Sequence, residues 1–564
     1  MTIAIAEKIS AAEATVEMLR LHGVEIVFGL CGDTSLPLYD AFARSGVIEH
    51  VLCRDERSAS YMADGYARVS GRVGVCEGPS GGGATYILPG LVEANESSVA
   101  VLALVTDVGV GARGRYTLTE VDHAQLFRAV TKWNAVVDRA VDLPRSIRHA
   151  FTSMTTGRPG SAELTLPFDV QNAMVASSDV WADKALGRYP ARRAAPDPAD
   201  VEEAAAALRR AERPLFICGG GVVSSGAEDA LASAAEKCGA IVATTISGRG
   251  SISDAHPLSL GTVGSNGGTL PTRAVVEEAD LVVFVSCRAG SVTTERWRYP
   301  AEGTPIVHID VDPEVIGTNY RTEVAVVGDA RLALKALDAA LGAKRVDNAR
   351  AAARVAQARH EKFGAFAKLA ASDATPILPE RFVRDFQFAL PEEFVVVADP
   401  GTPCPYLSAY LRLEQTGRRF FSNRAHGALG YSLSAALGAH FARPHAKTIA
   451  VMGDGSFGFT SGELETVVRV GAPITFIVLS NGVYGWIKAG QKHGFGGRYF
   501  GVDFSSTDHA RIAQAYGLAA WRVTDPRELR ATLETALGTD GPSLVDVVVQ
   551  PLHEARAPVS EWVA

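Results

Sequence analysis

Asp454 and Asn481 lie 27 residues apart, each just beyond an apolar run. Lys447-Thr448-Ile449-Ala450-Val451-Met452 leads to Gly453 and the first, and Ile474-Thr475-Phe476-Ile477-Val478-Leu479 leads to Ser480 and the second. Runs of this length and composition read as buried strands. Between them Leu464, Val467, Val468 and Val470 stand among Glu463, Glu465 and Arg469, a helical pattern. Strand, helix, strand makes one crossover, whose parallel strands end on the same edge of a sheet. Ligands of open α/β sheets bind at that edge. An Asp carboxylate, an Asn carbonyl and a nearby backbone carbonyl are oxygen donors suited to Mg²⁺, which completes its octahedron with phosphate oxygens and water. Gly455 and Ser456 open the following helix, where free amides can meet phosphate. Alone, Gly453-Asp454-Gly455 reads as a βα turn with a capping Ser456. Asn481 at the next strand end turns it toward a metal–phosphate site.

This motif resembles that of the thiamine-diphosphate enzymes. Their superfamily includes acetohydroxyacid synthases, pyruvate and benzoylformate decarboxylases, benzaldehyde lyase and oxalyl-CoA decarboxylase. The resemblance implies that Asp454, Asn481 and the Val483 carbonyl hold Mg²⁺, which clamps the diphosphate. Gly453, Gly455, Ser456, Tyr484 and Gly485 would follow the cofactor. The family has two Asn where this chain has Ser480-Asn481, and the second is the ligand. Arg54-Asp55-Glu56-Arg57 stands ahead of Gly65-Tyr66-Ala67-Arg68, and Glu56 precedes Tyr66 by ten residues as in the family. There the Glu hydrogen-bonds N1′ of the aminopyrimidine and favours the tautomer that takes the C2 proton. By residue types alone Glu56 reads as part of a solvated cluster at a helix start. If buried, it should have a raised pKa. The residue before it is Asp55, where the family has His.

Leu429 matches the residue that wedges under the cofactor and forces its V shape; it reads equally as a core Leu at a helix start. Leu here resembles benzoylformate decarboxylase more than acetohydroxyacid synthase. Asp399-Pro400-Gly401-Thr402-Pro403 resembles the loop that caps the diphosphate, with Gly401 and Thr402 as contacts, though a Pro-Gly turn needs no ligand. On the substrate side, Gly32-Asp33 resembles the Gly-Asp of pyruvate decarboxylase, and Thr119-Glu120 resembles the Gln-Glu of acetohydroxyacid synthases. The His pair of pyruvate decarboxylase has no counterpart in Pro79-Ser80-Gly81-Gly82-Gly83-Ala84-Thr85, and Ile487 replaces its second catalytic Glu. Asp33, Glu120, His123, Lys488, Gln491 and His493 are the polar candidates here, each open to a plain structural role.

The chain around these residues sets their frame. Its 564 residues point to about three or four domains. Helical and strand patterns alternate over 8–175, 200–340 and 375–550, separated by a Pro-containing linker at 177–200 and an Ala/Arg-rich helical linker at 342–374. Three tandem doubly wound parallel-sheet α/β domains follow; the resemblance implies that the N-terminal one binds the pyrimidine, the middle one is Rossmann-like and the C-terminal one binds the diphosphate and Mg²⁺. The polar tail at 552–564 is left open between fraying and lying over the site. Seven scattered Cys without a CxxC fit reduced thiols. A net charge of −8 argues against nucleic acid. The first eight residues lack the shape of a secretory signal and no apolar stretch is long enough to span a bilayer, so a cytoplasmic enzyme is expected, without membrane partners.

The resemblance implies decarboxylation of a 2-oxo acid. Capture by an aldehyde or keto acceptor, as in acetolactate synthesis, is favoured over protonation because the dedicated protonating residues are missing. Alternatives are a simple decarboxylase of benzoylformate type, a 2-hydroxyacyl-CoA or oxalyl-CoA lyase, a flavin-linked oxidase, and a non-catalytic binding protein. The segment aligned with the flavin-binding Arg-Phe-Asp-Asp-Arg run keeps only Arg288, which argues against FAD. Gly219-Gly220-Gly221 is not GxGxxG; it reads as a tight turn or as a phosphate approach. The resemblance also implies a homodimer or homotetramer whose site lies between chains, with Glu56 from one and Asp454 from the other.

Overall fold

The computed structural model describes residues 8–343 and 346–562. Residues 1–7, in the stretch read above for a secretory signal, and the last two of the tail lie outside the described residues. Three six-stranded sheets follow one another along the chain, and every pairing within them is parallel. The first runs, in spatial order, Glu49–Leu52, Ile26–Gly29, Gly74–Gly78, Val101–Asp107, Ala162–Pro167, Trp133–Val136. The third runs Phe420–Ser422, Phe394–Ala398, Lys447–Gly453, Thr475–Ser480, Ser543–Val548, Ala519–Val523 and repeats the first sheet's strand order. The middle sheet differs: Ser259–Thr262, Ile241–Thr244, Pro214–Cys218, Leu281–Val285, Ile306–Asp310, Val324–Val327 is the doubly wound order of dinucleotide-binding folds.

The central strands are mostly apolar, as suits strands covered on both faces, with Glu77, Glu163 and Asp546 as buried exceptions. In the middle sheet Phe216, Val283 and Val307 enter one core, while Leu215, Val282, Phe284 and Ile306 enter the other. The sequence reading misses one detail of the 454–481 crossover. Its single predicted helix is three pieces: Asp454–Thr460, a 3₁₀ turn at Ser461–Glu463, and Leu464–Val470. Gly455, Gly458 and Gly462 weaken a continuous helix. The second linker is helical over Ala349–Ala370.

Two compact units emerge. One comprises the chain up to Arg192 with Ala425–Pro444 and Thr460–Val470; the other holds the rest, including the middle and third sheets. In the first unit the helix Glu56–Ser70 lies against Tyr431–Ala442 at close range. Two glycines permit this. A Cβ on Gly65 would stand 2.2 Å from the Ala435 carbonyl oxygen, and one on Gly438 would stand 1.9 Å from that of Met62. Around the crossing runs a buried ionic chain. Asp64 accepts from Tyr431 Oη and from Arg68 Nε at 2.8 Å; Arg68 Nη2 donates to Glu93 at 2.9 Å. Glu93 Oε2 accepts from the amides of Ala425 and His426 at 3.2 and 2.7 Å. Burial raises the Asp64 pKa although Arg68 opposes it. Backbone on both sides leaves a new methyl no room, so Gly438→Ala is expected to destabilise the protein by about 1–3 kcal/mol. A lowered thermal midpoint checks this; an unchanged one would mean the helices tolerate separation.

Candidate functional site

The Lys447–Gly453 and Thr475–Ser480 strands pair in parallel, with Gly453 opposite Leu479, so Asp454 and Asn481 leave the sheet side by side. The Asp454 carboxylate is 6% exposed and held by three backbone amides. Gly455 N donates to Oδ1 at 2.9 Å; Asn481 N and Gly482 N donate to Oδ2 at 2.7 Å each. Burial raises its pKa, and those amides and His509 pull the other way. Asn481 Oδ1 is buried without a hydrogen-bond partner. No atom stands within 4 Å of where a Gly453 Cβ would be. A fixed carboxylate, a buried unsatisfied amide oxygen and an open glycine edge fit a hard cation carrying phosphate. A Cβ on Gly455 would stand 2.8 Å from the Tyr484 ring, so a larger residue there would push that ring aside. Val483 follows Gly482, and Tyr484 precedes the helix Gly485–Gly494.

Ser480, the departure from the family's paired Asn, has a physical role. Its hydroxyl donates to Asp546 and lies 2.9 Å from His509 Nδ1. Arg522 Nη1 donates to the same carboxylate at 2.8 Å. Burial opposes ionisation of Asp546, but His509, Ser480 and Arg522 outweigh it and lower its pKa. Across the same sheet Gly401 takes φ +98°, and Thr402 is buried at the N-cap of Pro403–Tyr410. Ser456 is also buried.

In the other unit Glu56 is the first residue of its helix, after Asp55 caps the Arg57 amide at 2.8 Å. Glu56 is 7% exposed, which excludes the solvated cluster read from its neighbours. Its carboxylate accepts no hydrogen bond from another described residue, and burial raises its pKa. Gly78 and Gly83 crowd it: a Cβ on Gly83 would lie 3.1 Å from Oε1. Beside it lies Glu77, fully buried, hydrogen-bonded by Tyr39 Oη and lying 3.4 Å from His50 Nε2. Glu463 is a third buried acid, bonded by Arg54 N at 2.6 Å and Thr466 Oγ1 at 2.7 Å, its pKa pushed up to about 7 mainly by burial. None of these supports was visible in sequence; a Glu inside an apolar strand was the one available signal, at Glu77. Leu429 is half-buried, in the turn between Gly427 and Gly430, both at positive φ.

The N-terminal loops meet at the end of the first sheet. Thr34 Oγ1 bonds Ser80 and Thr106, and Ser80 bonds Thr119 at 2.7 Å. This gathers the segments carrying Asp33 and Glu120. Asp33 is exposed. Glu120 instead closes its own loop, accepting from Gly114 N at 2.5 Å and Thr117 N at 3.3 Å. His123 is buried, 3.2 Å from Thr165 Oγ1, and burial lowers its pKa. In the helix that follows Tyr484, Lys488 pairs with Asp503, and Gln491 bonds both backbone groups of Phe500. His493 stacks on Trp562 at 5.7 Å. The described part of the tail is thus packed, with Ser560 N donating to Ser265 O at 3.0 Å. In the middle domain the glycine run is explained by packing: a Cβ on Gly219 would lie 1.9 Å from Ser286 O.

Residues 9–126 match the thiamine pyrophosphate enzyme N-terminal TPP binding domain, 201–337 the central domain and 399–547 the C-terminal TPP binding domain. A protein of Methanocaldococcus jannaschii named "Probable acetolactate synthase large subunit" is 34% identical over 553 residues, covering 96% of this chain and 92% of its own. The acetolactate synthase of Arthrospira platensis is 32% identical over 553 residues, covering 96% and 94%. The Escherichia coli acetolactate synthase isozyme 2 large subunit is 30% identical over 547 residues, covering 96% of each. With its three domain types in order and this similarity running along almost its whole length, the chain belongs to the thiamine pyrophosphate enzymes and, within them, is acetolactate-synthase-like.

Proposed function

We propose that this thiamine-diphosphate-dependent enzyme decarboxylates a 2-oxo acid and joins the remaining acyl unit to an aldehyde or keto acceptor. Bound thiamine diphosphate supplies the electron sink for breaking the bond next to the keto carbon. The single observation behind the reading is the oxygen pair at the strand ends, where Asp454 is fixed by amides and Asn481 Oδ1 is buried without a partner. Asp454, Asn481 and the Val483 carbonyl would hold Mg²⁺, with Gly401, Thr402, Gly453, Gly455, Ser456, Tyr484 and Gly485 along the cofactor. Leu429 would shape the cofactor. Glu56 would hold and return a proton at the pyrimidine, a task suited to a buried carboxyl with raised pKa. Asp33 is the substrate-side acid left exposed, whereas Glu120 would order its loop. The proposed domain limits are 8–175, 200–340 and 375–550.

Ligation is favoured over protonation because the loop at 79–85 carries no His and Ile487 is aliphatic and 55% exposed. No described helix is long and apolar enough to cross a membrane, and a cytoplasmic enzyme is the reading kept.

A panel of 2-oxo acids, with and without an aldehyde acceptor, is expected to give carbon dioxide together with a carbon–carbon product. Release of the free aldehyde as the main product under both conditions would support the simple decarboxylase instead. Glu56→Gln is expected to lower kcat by about 10²–10⁴-fold and slow C2–H exchange, while thermal stability holds or rises as an unpaired buried acid becomes neutral. Unchanged exchange would remove Glu56 from the chemistry. We further infer a homodimer or homotetramer with the site shared between chains. Mixing inactive Glu56→Gln with inactive Asp454→Ala protein, after dissociation and reassociation, should restore activity, because one site of a mixed dimer then receives both native residues. Persistent inactivity in verified mixed dimers would place both residues in one chain's site.

A further inference from the structure

None of the residues proposed for the cofactor lines a cavity of about 430 Å³ in the second unit, whose wall carries several cations. Its wall is built from the edge strand Ser259–Thr262 of the middle sheet, the linker helix Ala349–Ala370 and the end of the helix Pro403–Tyr410. Arg249, Arg359, Lys362 and Arg412 line it, against one carboxylate, Asp254. Arg249 is 4% exposed and donates to the Leu407 carbonyl at 2.7 Å, to the Leu411 carbonyl, and to Asp254 at 2.9 Å. Arg359 donates to the carbonyls of Asp254 and His256. Both guanidiniums are therefore fixed mainly by neutral carbonyls, which orient them without cancelling their charge. Arg412, half-exposed, reaches Glu414 at 3.3 Å.

Lys362 is the telling member. It is 5% exposed, yet its ammonium makes no hydrogen bond or ion pair with any described residue. Its recorded partners are the ring faces of Phe363 and Tyr410, at 5.3 and 5.8 Å. Gly261, at φ +90°, brings bare backbone beside it: a Cβ there would sit 3.5 Å from Nζ. The side chain is buried but Nζ opens onto the cavity, where its three donors favour a negative partner. Burial pushes its pKa down to about 8; Asp254 opposes this, while Arg249 and Arg359 add to it.

We propose that this cavity binds a phosphate dianion, free or carried on a small ester, with Lys362 as the direct donor and Arg249 and Arg359 supplying the field. Several cations facing one carboxylate suit a doubly charged group better than a carboxylate ligand. The volume exceeds what a bare phosphate fills and lies within the range of small organic ligand sites. Leu260, Phe363 and Leu411 give the remaining wall an apolar character for such an ester.

The test is calorimetric titration of inorganic phosphate and of AMP into the full-length protein, loaded with thiamine diphosphate and freed of excess so that its diphosphate site is occupied. AMP binding that weakens about tenfold or more in Lys362→Met and largely persists in Lys362→Arg is the expected result. Lys362-dependent binding of inorganic phosphate alone would support the dianion site and identify free phosphate as its ligand. Lys362→Met should itself fold and be as stable as the parent or more so, since an unpaired charge on a buried side chain is replaced by an apolar chain of similar length. Failure of both probes at millimolar concentration, binding that Lys362→Met leaves unchanged, or a large loss of thermal stability in that variant would overturn the proposal.

Discussion

The parallel ladder between Lys447–Gly453 and Thr475–Ser480 is the constraint on which the Asp454–Asn481 edge depends. It does more than bring two strand ends together. The amides just beyond the second strand turn back onto the carboxylate just beyond the first, and two of them share Asp454 Oδ2. An ionised carboxylate taken out of water is unfavourable unless such donors replace the solvent. Here the donors belong to the backbone, so the compensation comes from the chain path itself. Asn481 thereby has two functions at different atoms. Its N–H stabilises Asp454, while its side-chain oxygen is left without a partner. Sliding the register by one residue would undo both at once.

The same logic orders the layer beneath and the first unit. Asp546 lies under Ser480 and is satisfied by a hydroxyl, a backbone amide and a guanidinium, with the His509 imidazole 3.5 Å away. Asp64, Arg68, Glu93 and Tyr431 form a second bonded network, which fixes the backbone at Ala425 and His426 just ahead of Leu429. Removing one member of either network would strand the others in a medium that solvates them poorly. The glycines at 65 and 438 act with the second network. They bring the helices close enough for Tyr431 to reach Asp64, and the bonded network then holds the crossing closed.

How far the sequence revealed this depended on whether the signal was local. Apolar runs located the principal strands, because a strand buried on both faces needs no partner to be recognised. The Asp454–Asn481 interval and the Glu56 segment stood out because their residue types and spacing match motifs of the thiamine pyrophosphate enzymes. The broken crossover helix was less legible: Leu464, Val467 and Val468 keep helical spacing while Gly458 and Gly462 interrupt it. Glu120, a candidate catalytic acid, accepts amides of its own loop, a contact the sequence did not show because it does not say which amides a carboxylate will find. The acids at 77, 93 and 463 were hidden for a different reason. Their donors come from Tyr39, Arg68 and the backbone at 54, brought in by tertiary packing that has no pattern along the chain.

One distinction then sorts the buried polar groups of this protein. Glu463 and Asp546 have donors on both oxygens, whereas Asp64 and Glu77 have donors on one and keep Oδ1 and Oε2 buried without a partner. Glu56, Asn481 Oδ1 and Lys362 are also buried, but no other described residue hydrogen-bonds the carboxylate, the oxygen or the ammonium. Burial without compensation persists only where the surrounding fold tolerates its unfavourable free energy. At Glu56 the crowding glycines 78 and 83 keep the carboxyl in place; at Asn481 the bonded N–H fixes the residue; at Lys362 two arginines anchored on carbonyls frame the ammonium. In all three cases the unsatisfied atom is held by a rigid setting, so a ligand meeting it would require little reorganisation. That is the physical condition for preorganised recognition. It separates residues that make the fold from those the fold holds ready.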